Sequence, residues 1–187
     1  MSSPTIEAEG HAMAASPAQS STRMRTWLLF LLIVFSCALL DVATKDWAFE
    51  MVPSPYSEPV AVIDGFFYIV HATNTGAMWS LFQDVQSEFW IAIRGGVFLI
   101  LLTLVLRSMP KPRWARLGFA LVLAGALGNL HDNLFCEGGA VRDWLRFDFW
   151  GWPFPIFNVA DSCICVGAPL LLIYFYRLDQ KPKVSRE

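Results

Sequence analysis

The chain has 187 residues, of which 55% are hydrophobic and only 16% are charged, and its formal net charge is −2. A soluble domain usually carries about 25% charged residues, so the deficit indicates lipid rather than water around much of the surface. A net charge this small gives no reason to expect a nucleic-acid partner.

The first part of the chain, residues 1–22, is rich in Ser, Ala, Pro and Thr without apolar periodicity, which predicts a disordered tail. An apolar run follows at residues 27–40, but a helix of that length spans only about 21 Å of a hydrocarbon core of about 30 Å. We therefore expect the helix to continue to about Trp47. This places Asp41 and Lys45 four residues apart on one helical face, where we predict an ion pair.

Three further apolar runs are long enough to cross a bilayer: residues 89–106, 117–134 and 157–176. The first of these contains Arg94 near one end, where it could reach the interface or a carboxylate within the bundle. The second contains Ala124, Gly125, Ala126 and Gly128, small residues that let helix backbones approach closely in lipid. The fold class we predict is an all-α membrane protein with four transmembrane helices.

The basic residues predict the orientation of these helices. They cluster between the second and third spans and after the fourth, at Arg107, Lys111, Arg113, Arg116, Arg177, Lys181, Lys183 and Arg186. Residues 46–88 hold six acids and no Lys or Arg. The positive-inside bias therefore predicts that both termini are cytoplasmic and that loops 48–88 and 135–156 face outward. The predicted division is a cytoplasmic tail at 1–22, a membrane domain at 23–178 and a second tail at 179–187.

Both outer loops carry signs of local structure. Residues 60–70 are β-branched and aromatic around an Asp-Gly pair, which predicts a small extracytoplasmic β hairpin or sheet. Residues 141–149 interleave Trp, Leu and Phe with Arg and Asp, a composition that predicts a short amphipathic interfacial helix.

Acidic and amide side chains gather at the outer ends of the last two spans. Gly125, Asn129 and Asp132 share one helical stripe, and Asn158 and Asp161 share another. An ionisable group such as Asp161 within a membrane span is costly and indicates a functional site. Two carboxylates held close together cannot both ionise, so Asp161 with the loop residue Asp143 is our candidate acid/base pair.

Five motifs in sequence carry a family resemblance over roughly residues 41–167. They are D-x-x-T-K from Asp41, N-T-G-A-x-x-S from Asn74, G-A-x-G-N-x-x-D from Gly125, V-x-D ending at Asp143 and F-N-V-A-D ending at Asp161. In this order they resemble the lipoprotein signal peptidases, the signal peptidase II class of bacterial membrane aspartyl proteases.

The resemblance implies that Asp143 and Asp161 are the catalytic dyad of a peptidase domain at residues 23–178. The residues that it implies support the site or contact substrate are Asn74, Gly76, Asn129, Asn158, Ala160, Asp41, Lys45 and Asp132. The implied substrate is a diacylglyceryl-modified prolipoprotein, cleaved just before its lipidated Cys. The implied location is the bacterial cytoplasmic (inner) membrane with the site facing outward. We expect no cofactor or metal, membrane lipid as a partner, and a monomer.

The sequence departs from the family pattern beside Asp132. Asn133 stands where an Arg is expected, and His131 where an apolar or aromatic residue is usual. This exchange removes a fixed positive charge and a bidentate donor. Either His131 or Arg94 could compensate, and the sequence does not choose between them.

Other classes of protein fit the sequence less well. A small membrane transporter could carry Asp, Asn and Lys within its helices, but we find no internal repeat of the kind such folds use. A metalloprotease of the common helical type would need an H-E-x-x-H motif, which is absent. A non-enzymatic scaffold and an inactive relative of the peptidase remain as alternatives.

Overall fold

The structure, a computed structural model, describes residues 17–74 and 87–180. Within these ranges the chain forms a bundle of four α-helices and one small antiparallel sheet. The helices are α1 (Pro17–Met51), α2 (Ser87–Arg107), α3 (Arg113–Phe135) and α4 (Val159–Asp179). The strands are β1 (Val60–Ile63), β2 (Phe67–Asn74), β3 (Val141–Phe149) and β4 (Trp152–Pro153), in that order across the sheet.

Two helices in the described ranges are long and apolar enough to span a bilayer. They are Ser21–Met51 and Val159–Asp179. The other two helices, α2 and α3, have 21 and 23 residues, and about 20 residues suffice for a crossing. Four transmembrane passes remain a prediction.

Helix α1 exposes large apolar side chains and buries two charged ones. On α1, Leu32 and Leu39 are 62% and 70% exposed, whereas Asp41 and Lys45 have no exposed surface. In water, exposing these leucines and burying these charged side chains would both cost free energy. This arrangement suits a helix whose outer face lies in lipid and whose polar groups pair within the bundle.

Close contact between α3 and α4 depends on residues without bulky side chains. A Cβ atom at Gly125 would overlap the carbonyl oxygen of Ala160, and one at Gly118 would lie 2.9 Å from Cβ of Leu170. This confirms the prediction that the small residues of the third span allow backbones to approach. The contact places Asn129 and Asp132 of α3 next to the start of α4.

Two hydrophobic clusters join these elements. The first fills the space between the four helices, with Phe30, Val105, Phe119 and Leu171 each buried. The second fastens the sheet to the end of α1 through Ala48, Val52, Ile69 and Trp144. The sheet is therefore fixed against the end of the bundle that carries the predicted polar site.

The predicted hairpin is confirmed. Strands β1 and β2 pair antiparallel around Asp64 and Gly65, and Gly65 adopts a φ of +73°, which glycine tolerates without strain. Strand β3 adds to the other edge of β2, with Ala72 opposite Asp143. The sheet thus carries Asp143 to a fixed position.

The predicted interfacial helix at residues 141–149 is wrong, because this segment is strand β3. Its mixture of aromatic and charged residues is typical of an amphipathic helix, but its backbone pairs along the open edge of β2. Leu145 also bridges to Phe157, just before α4. Backbone pairing on both sides satisfies polar groups that a lone segment would have left to water.

The boundary of the predicted N-terminal tail is also corrected. Helix α1 begins at Pro17, so residues 17–22 are helical rather than disordered, and it ends at Met51 rather than near Trp47. Pro is well tolerated in the first turn of a helix, which lets a strong apolar helix extend backward into a polar segment. Residues 1–16 and 181–187, which make up most of the two predicted tails, lie outside the described residues.

Replacing Gly125 by Ala should separate α3 from α4, because the new methyl group would overlap the carbonyl oxygen of Ala160. We expect a loss of about 1–3 kcal/mol in the free energy of unfolding, measured by thermal or denaturant unfolding in detergent. The matched control is Gly96→Ala on α2, where a Cβ meets nothing within 4 Å. Equal effects of the two substitutions would contradict this account of the helix contact.

Candidate active site

A buried lysine joins three helices beneath the site. Lys45 Nζ lies 2.7 Å from Asp41 Oδ2 on its own helix and 3.0 Å from Asp132 Oδ2 on α3. It also donates to Asn129 Oδ1 over 3.1 Å. The other oxygen of Asp41 accepts the backbone N–H of Ala160 over 2.8 Å. The predicted Asp41–Lys45 ion pair is confirmed, and it extends to α3 and α4.

Two asparagines connect this lysine to the predicted catalytic pair. Asn129 Nδ2 donates to Asp161 Oδ1 over 2.9 Å, and Asn158 Nδ2 donates to Asp143 Oδ1 over 2.7 Å. Asn158 Nδ2 also lies 3.1 Å from Asn129 Oδ1, the same oxygen that accepts from Lys45. The two aspartates are therefore held through one network of amides.

The local fold explains why Asp161 faces this network. Asn158 is the N-cap of α4, and its side-chain oxygen accepts the backbone N–H of Asp161 over 2.8 Å. Asn is among the preferred N-cap residues because its oxygen satisfies an amide that the helix leaves unpaired. Asn158 thus fixes Asp161 through its oxygen and Asp143 through its nitrogen.

Asp143 is buried, and its environment favours the protonated form. Burial, followed by the negative charge of Asp161, raises the pKa of Asp143 from 3.8 to about 7. Hydrogen bonding from Asn158 and the charge of Lys45 act in the opposite direction. A carboxyl group that titrates near neutrality beside a second carboxyl group can serve as one half of an acid/base pair.

Both aspartates line one cavity of about 390 Å³. The other residues that line this cavity are partly polar and partly apolar: Asn74, Arg94, Asn129, Val141, Phe154, Pro155, Ile156, Phe157, Ser162, Cys165 and Val166. Val166 is also 58% exposed on the outer face of α4, so the cavity reaches the apolar surface of the bundle. A second cavity of about 600 Å³ lies against the sheet and shares Asn74 and Asp143 with the first.

Asp132 has a different role from the pair in the cavity. Its Oδ1 accepts from Nη2 of Arg142 over 2.8 Å, and its Oδ2 accepts the backbone N–H of Arg142 over 2.9 Å. Arg142 also forms an ion pair with Asp46 of α1. Asp132 therefore fixes the start of β3, one residue before Asp143. Arg142 is a site residue that was not predicted from the sequence, although its place between Val141 and Asp143 was a signal.

Arg94 and His131, which could each compensate for the Arg that Asn133 replaces, lie in different places. Arg94 Nη1 of α2 donates to Asn133 Oδ1 over 2.8 Å, and Asn133 Nδ2 donates to the carbonyl oxygen of Gly139 over 2.6 Å. The Nδ1 atom of His131 lies 3.5 Å from Asp132 Oδ1, and its ring packs 5.0 Å from that of Phe135. Arg94 lines the cavity that holds both aspartates, and His131 is not part of its lining.

Most of the other predicted site residues converge on the same place. Asn74 lines both cavities beside Asp143, and Ala160 contributes its backbone N–H to Asp41. Gly76 lies outside the described residues. The sequence analysis missed the apolar wall at Phe154 and Ile156, for which the W-P-F-P run at residues 152–155 was the available signal. Among the described residues, no group of three or more His, Cys, Asp or Glu side chains is placed to hold a metal ion.

Comparison with known proteins places this arrangement in a family. The family model described as "Signal peptidase (SPase) II" matches residues 33–177. Proteins named "Lipoprotein signal peptidase" from Yersinia pestis (strain Pestoides F) and from Yersinia pseudotuberculosis serotype O:3 (strain YPIII) are each 38% identical to the chain over 155 residues. The match covers 81% of this chain and 86% of each relative.

Two solved structures share the fold. One, titled "Bacterial membrane enzyme structure by the in meso method at 2.3 A resolution", matches with a TM-score of 0.70 and 25% identity, over 85% of this chain and 94% of that one. The other, with the same title at 1.9 A resolution, matches with a TM-score of 0.65 and 26% identity, over 79% and 92%.

A helical bundle that turns two aspartates toward one cavity is the arrangement of a membrane aspartic endopeptidase. The family match and the relatives agree with this class. The chain belongs to the signal peptidase II family.

The raised pKa of Asp143 predicts how stability changes with pH. Because the folded-state pKa lies above the unfolded value, the protonated group stabilises the fold below about pH 4, and this contribution is lost as the pH rises through about 7. Asp143→Asn imitates the neutral form and leaves an oxygen for Asn158. We expect the variant to exceed the unmutated protein in melting temperature by a few degrees at pH 8 and by less at pH 5.

The control for this measurement is Asp148→Asn, at the far end of the same strand, where the carboxyl group pairs with Arg146. Thermal unfolding of the three proteins in one detergent at both pH values gives the comparison. A stabilisation by Asp143→Asn that is as large at pH 5 as at pH 8 would contradict a carboxyl group held neutral by burial.

Proposed function

We propose that the protein removes the signal peptides of diacylglyceryl-modified prolipoproteins by cleaving the peptide bond before the lipidated Cys, with Asp143 and Asp161 as its catalytic dyad. The observation that carries the proposal is the pair of carboxyl groups on one cavity, each held by an amide of the Asn129–Asn158 network. The named relatives favour this function over a transporter, a scaffold or an inactive relative.

The chemistry follows from the shared protonation of the dyad. Near neutral pH the pair carries one proton, because two adjacent carboxyl groups do not both ionise readily. The ionised carboxylate takes a proton from a water molecule, whose oxygen then bonds to the carbonyl carbon of the scissile peptide. The protonated carboxyl group donates to the carbonyl oxygen. We assign these roles to the pair rather than to either residue, because coupled groups titrate together.

The tetrahedral intermediate then collapses and breaks the C–N bond. The leaving amine takes a proton from one carboxyl group of the dyad, and a hydroxyl group of the intermediate returns a proton to the other, so the pair again carries one proton. The Asn129 and Asn158 side chains keep both carboxyl groups in place during these transfers, since each donates to one of them. Prior positioning of this kind lowers the reorganisation that the reaction requires.

The shape of the cavity suits a substrate that remains attached to lipid. Its wall includes Phe154 and Ile156 on one side and Cys165 and Val166 of α4 on the other. Val166 is exposed on the apolar outer surface of the bundle. We infer that the acyl chains of the substrate stay in the bilayer beside α4 while the peptide enters the cavity. One chain provides both carboxyl groups, so a monomer suffices.

Replacing either carboxyl group tests the proposal. Purified protein is incubated with a diacylglyceryl-modified prolipoprotein, and the released signal peptide is measured. We expect Asp143→Asn and Asp161→Asn each to lower the rate by at least about a thousandfold, because each removes a group that transfers a proton. Asp148→Asn, the matched control on β3, should retain activity. Ordinary cleavage by either dyad variant would exclude that residue from the chemistry.

The proposal also includes the topology of the chain in the inner membrane. We infer that all four helices cross the bilayer, with both termini in the cytoplasm and the sheet outside. The basic residues around the α2–α3 connection and after α4 support this orientation, as does the absence of Lys and Arg from residues 46–88. The dyad then lies at the outer boundary of the membrane, where a lipidated substrate would meet it.

Cysteine labelling in intact cells tests this topology. In a background without the four native cysteines, Tyr56→Cys places a thiol at a side chain that is 96% exposed between α1 and β1. Ser108→Cys places one at an exposed position between α2 and α3. A membrane-impermeant maleimide should label the first variant alone, and both after permeabilisation. Labelling of the Ser108→Cys variant in intact cells would reverse the proposed orientation.

A further inference from the structure

One charged side chain in the cavity is not used by the mechanism above. Arg94 lies seven residues after the start of α2, about 10 Å along the helix, and its side chain is half-buried. A charge at this depth of an apolar helix is costly unless it faces the interior of a bundle, and it then indicates a functional role. Here it lines the cavity of Asp143 and Asp161.

Asn133 holds one nitrogen of the guanidinium. Its Oδ1 accepts from Nη1 of Arg94 over 2.8 Å, while its Nδ2 is held by the carbonyl oxygen of Gly139 over 2.6 Å. Asn133 is itself buried, so it holds the guanidinium from within the bundle. The residue at which the chain departs from the family pattern is therefore the residue that orients Arg94.

The charges around the dyad explain what this guanidinium adds. Among the described residues, the charged and amide groups that face the dyad are Lys45 from α1, Asn129 from α3, Asn158 at the cap of α4, Asn74 from β2 and Arg94 from α2. The cation of Lys45 is already shared between two carboxylates, those of Asp41 and Asp132. The side chain of Arg94 lines the cavity of Asp161 and Asp143, and its positive charge acts on both carboxyl groups.

We propose that Arg94 is a positioning residue of the dyad, and that its guanidinium, oriented by Asn133, keeps the Asp143–Asp161 pair singly ionised at neutral pH. This inference rests on the proposed function. A fixed positive charge favours the ionised form of a nearby carboxyl group. Without it, burial and mutual repulsion would move the pair toward a state with two protons, which has no base to activate water.

The pH dependence of cleavage tests this role. Arg94→Gln removes the positive charge. We expect the acid limb of the pH profile of kcat/KM to move to higher pH by about one unit. The rate should fall about tenfold on that limb and recover at higher pH. Arg94→Lys keeps the charge and should retain a limb close to that of the unmutated protein. Asn133→Ala releases the guanidinium and should give a smaller upward shift.

Moving the charge is the strongest control. The double variant Arg94→Gln with Asn133→Arg places the positive charge on α3 instead of α2. The acid limb of its pH profile should move back toward that of the unmutated protein. If Arg94 had only a structural role, Arg94→Gln would lower kcat/KM at every pH without moving the acid limb. Adding Asn133→Arg would then not restore the activity. That result, or an unchanged limb in Arg94→Gln, would overturn the inference.

A second measurement is independent of cleavage. The infrared band of protonated Asp side chains is followed against pH in protein labelled with 13C-aspartate, and Asp143→Asn identifies the contribution of the pair. The titration midpoint should be higher in Arg94→Gln than in the unmutated protein or in Arg94→Lys. An unmutated protein that does not cleave would refute the proposed function, while this titration would still decide the role of Arg94.

Discussion

The buried ammonium group of Lys45 is the interaction on which the site depends. It contacts Asp41 on its own helix and Asp132 on α3, and Asp41 in turn accepts the backbone N–H of Ala160 at the start of α4. A charge in this position is tolerable only because every partner is present, since removing one would leave another charge buried and unpaired. The same contacts hold the ends of three helices that lie next to the sheet in register. Asn129, which also accepts from Lys45, passes this fixed geometry to Asp161.

Beyond the contacts of Lys45, the site is held together by side chains that each make two contacts. Asn158 caps α4 with its oxygen and holds Asp143 with its nitrogen. Asp132 pairs with Lys45 below and with both the backbone and the side chain of Arg142 on β3. Because a strand and a helix each deliver one carboxyl group, their separation is set by the packing of the sheet against the bundle. The network explains why so many amide and acidic residues occur within apolar helices.

The sequence predicted what depends on local pattern. Long apolar runs indicated the helices, the Asp-Gly pair at Asp64 indicated the hairpin, and the one-sided spacing of Asn129 and Asp132 indicated a shared face. It failed for residues 141–149, because the strand forms only when the edge of β2 is there to pair with it. It also could not choose between His131 and Arg94. That choice depends on the distance between α2 and α3, which no spacing along the chain reveals.

The dyad also has a consequence for the order of synthesis. Both carboxyl groups belong to elements that come late among the described residues, Asp143 to β3 and Asp161 to the first turn of α4, close to its cap. On the proposed mechanism, a nascent chain that has not yet released α4 from the ribosome lacks one proton-transfer group and the asparagine that aligns the other. On this proposal, proteolytic competence arises only after α4 has been made and has packed against α3.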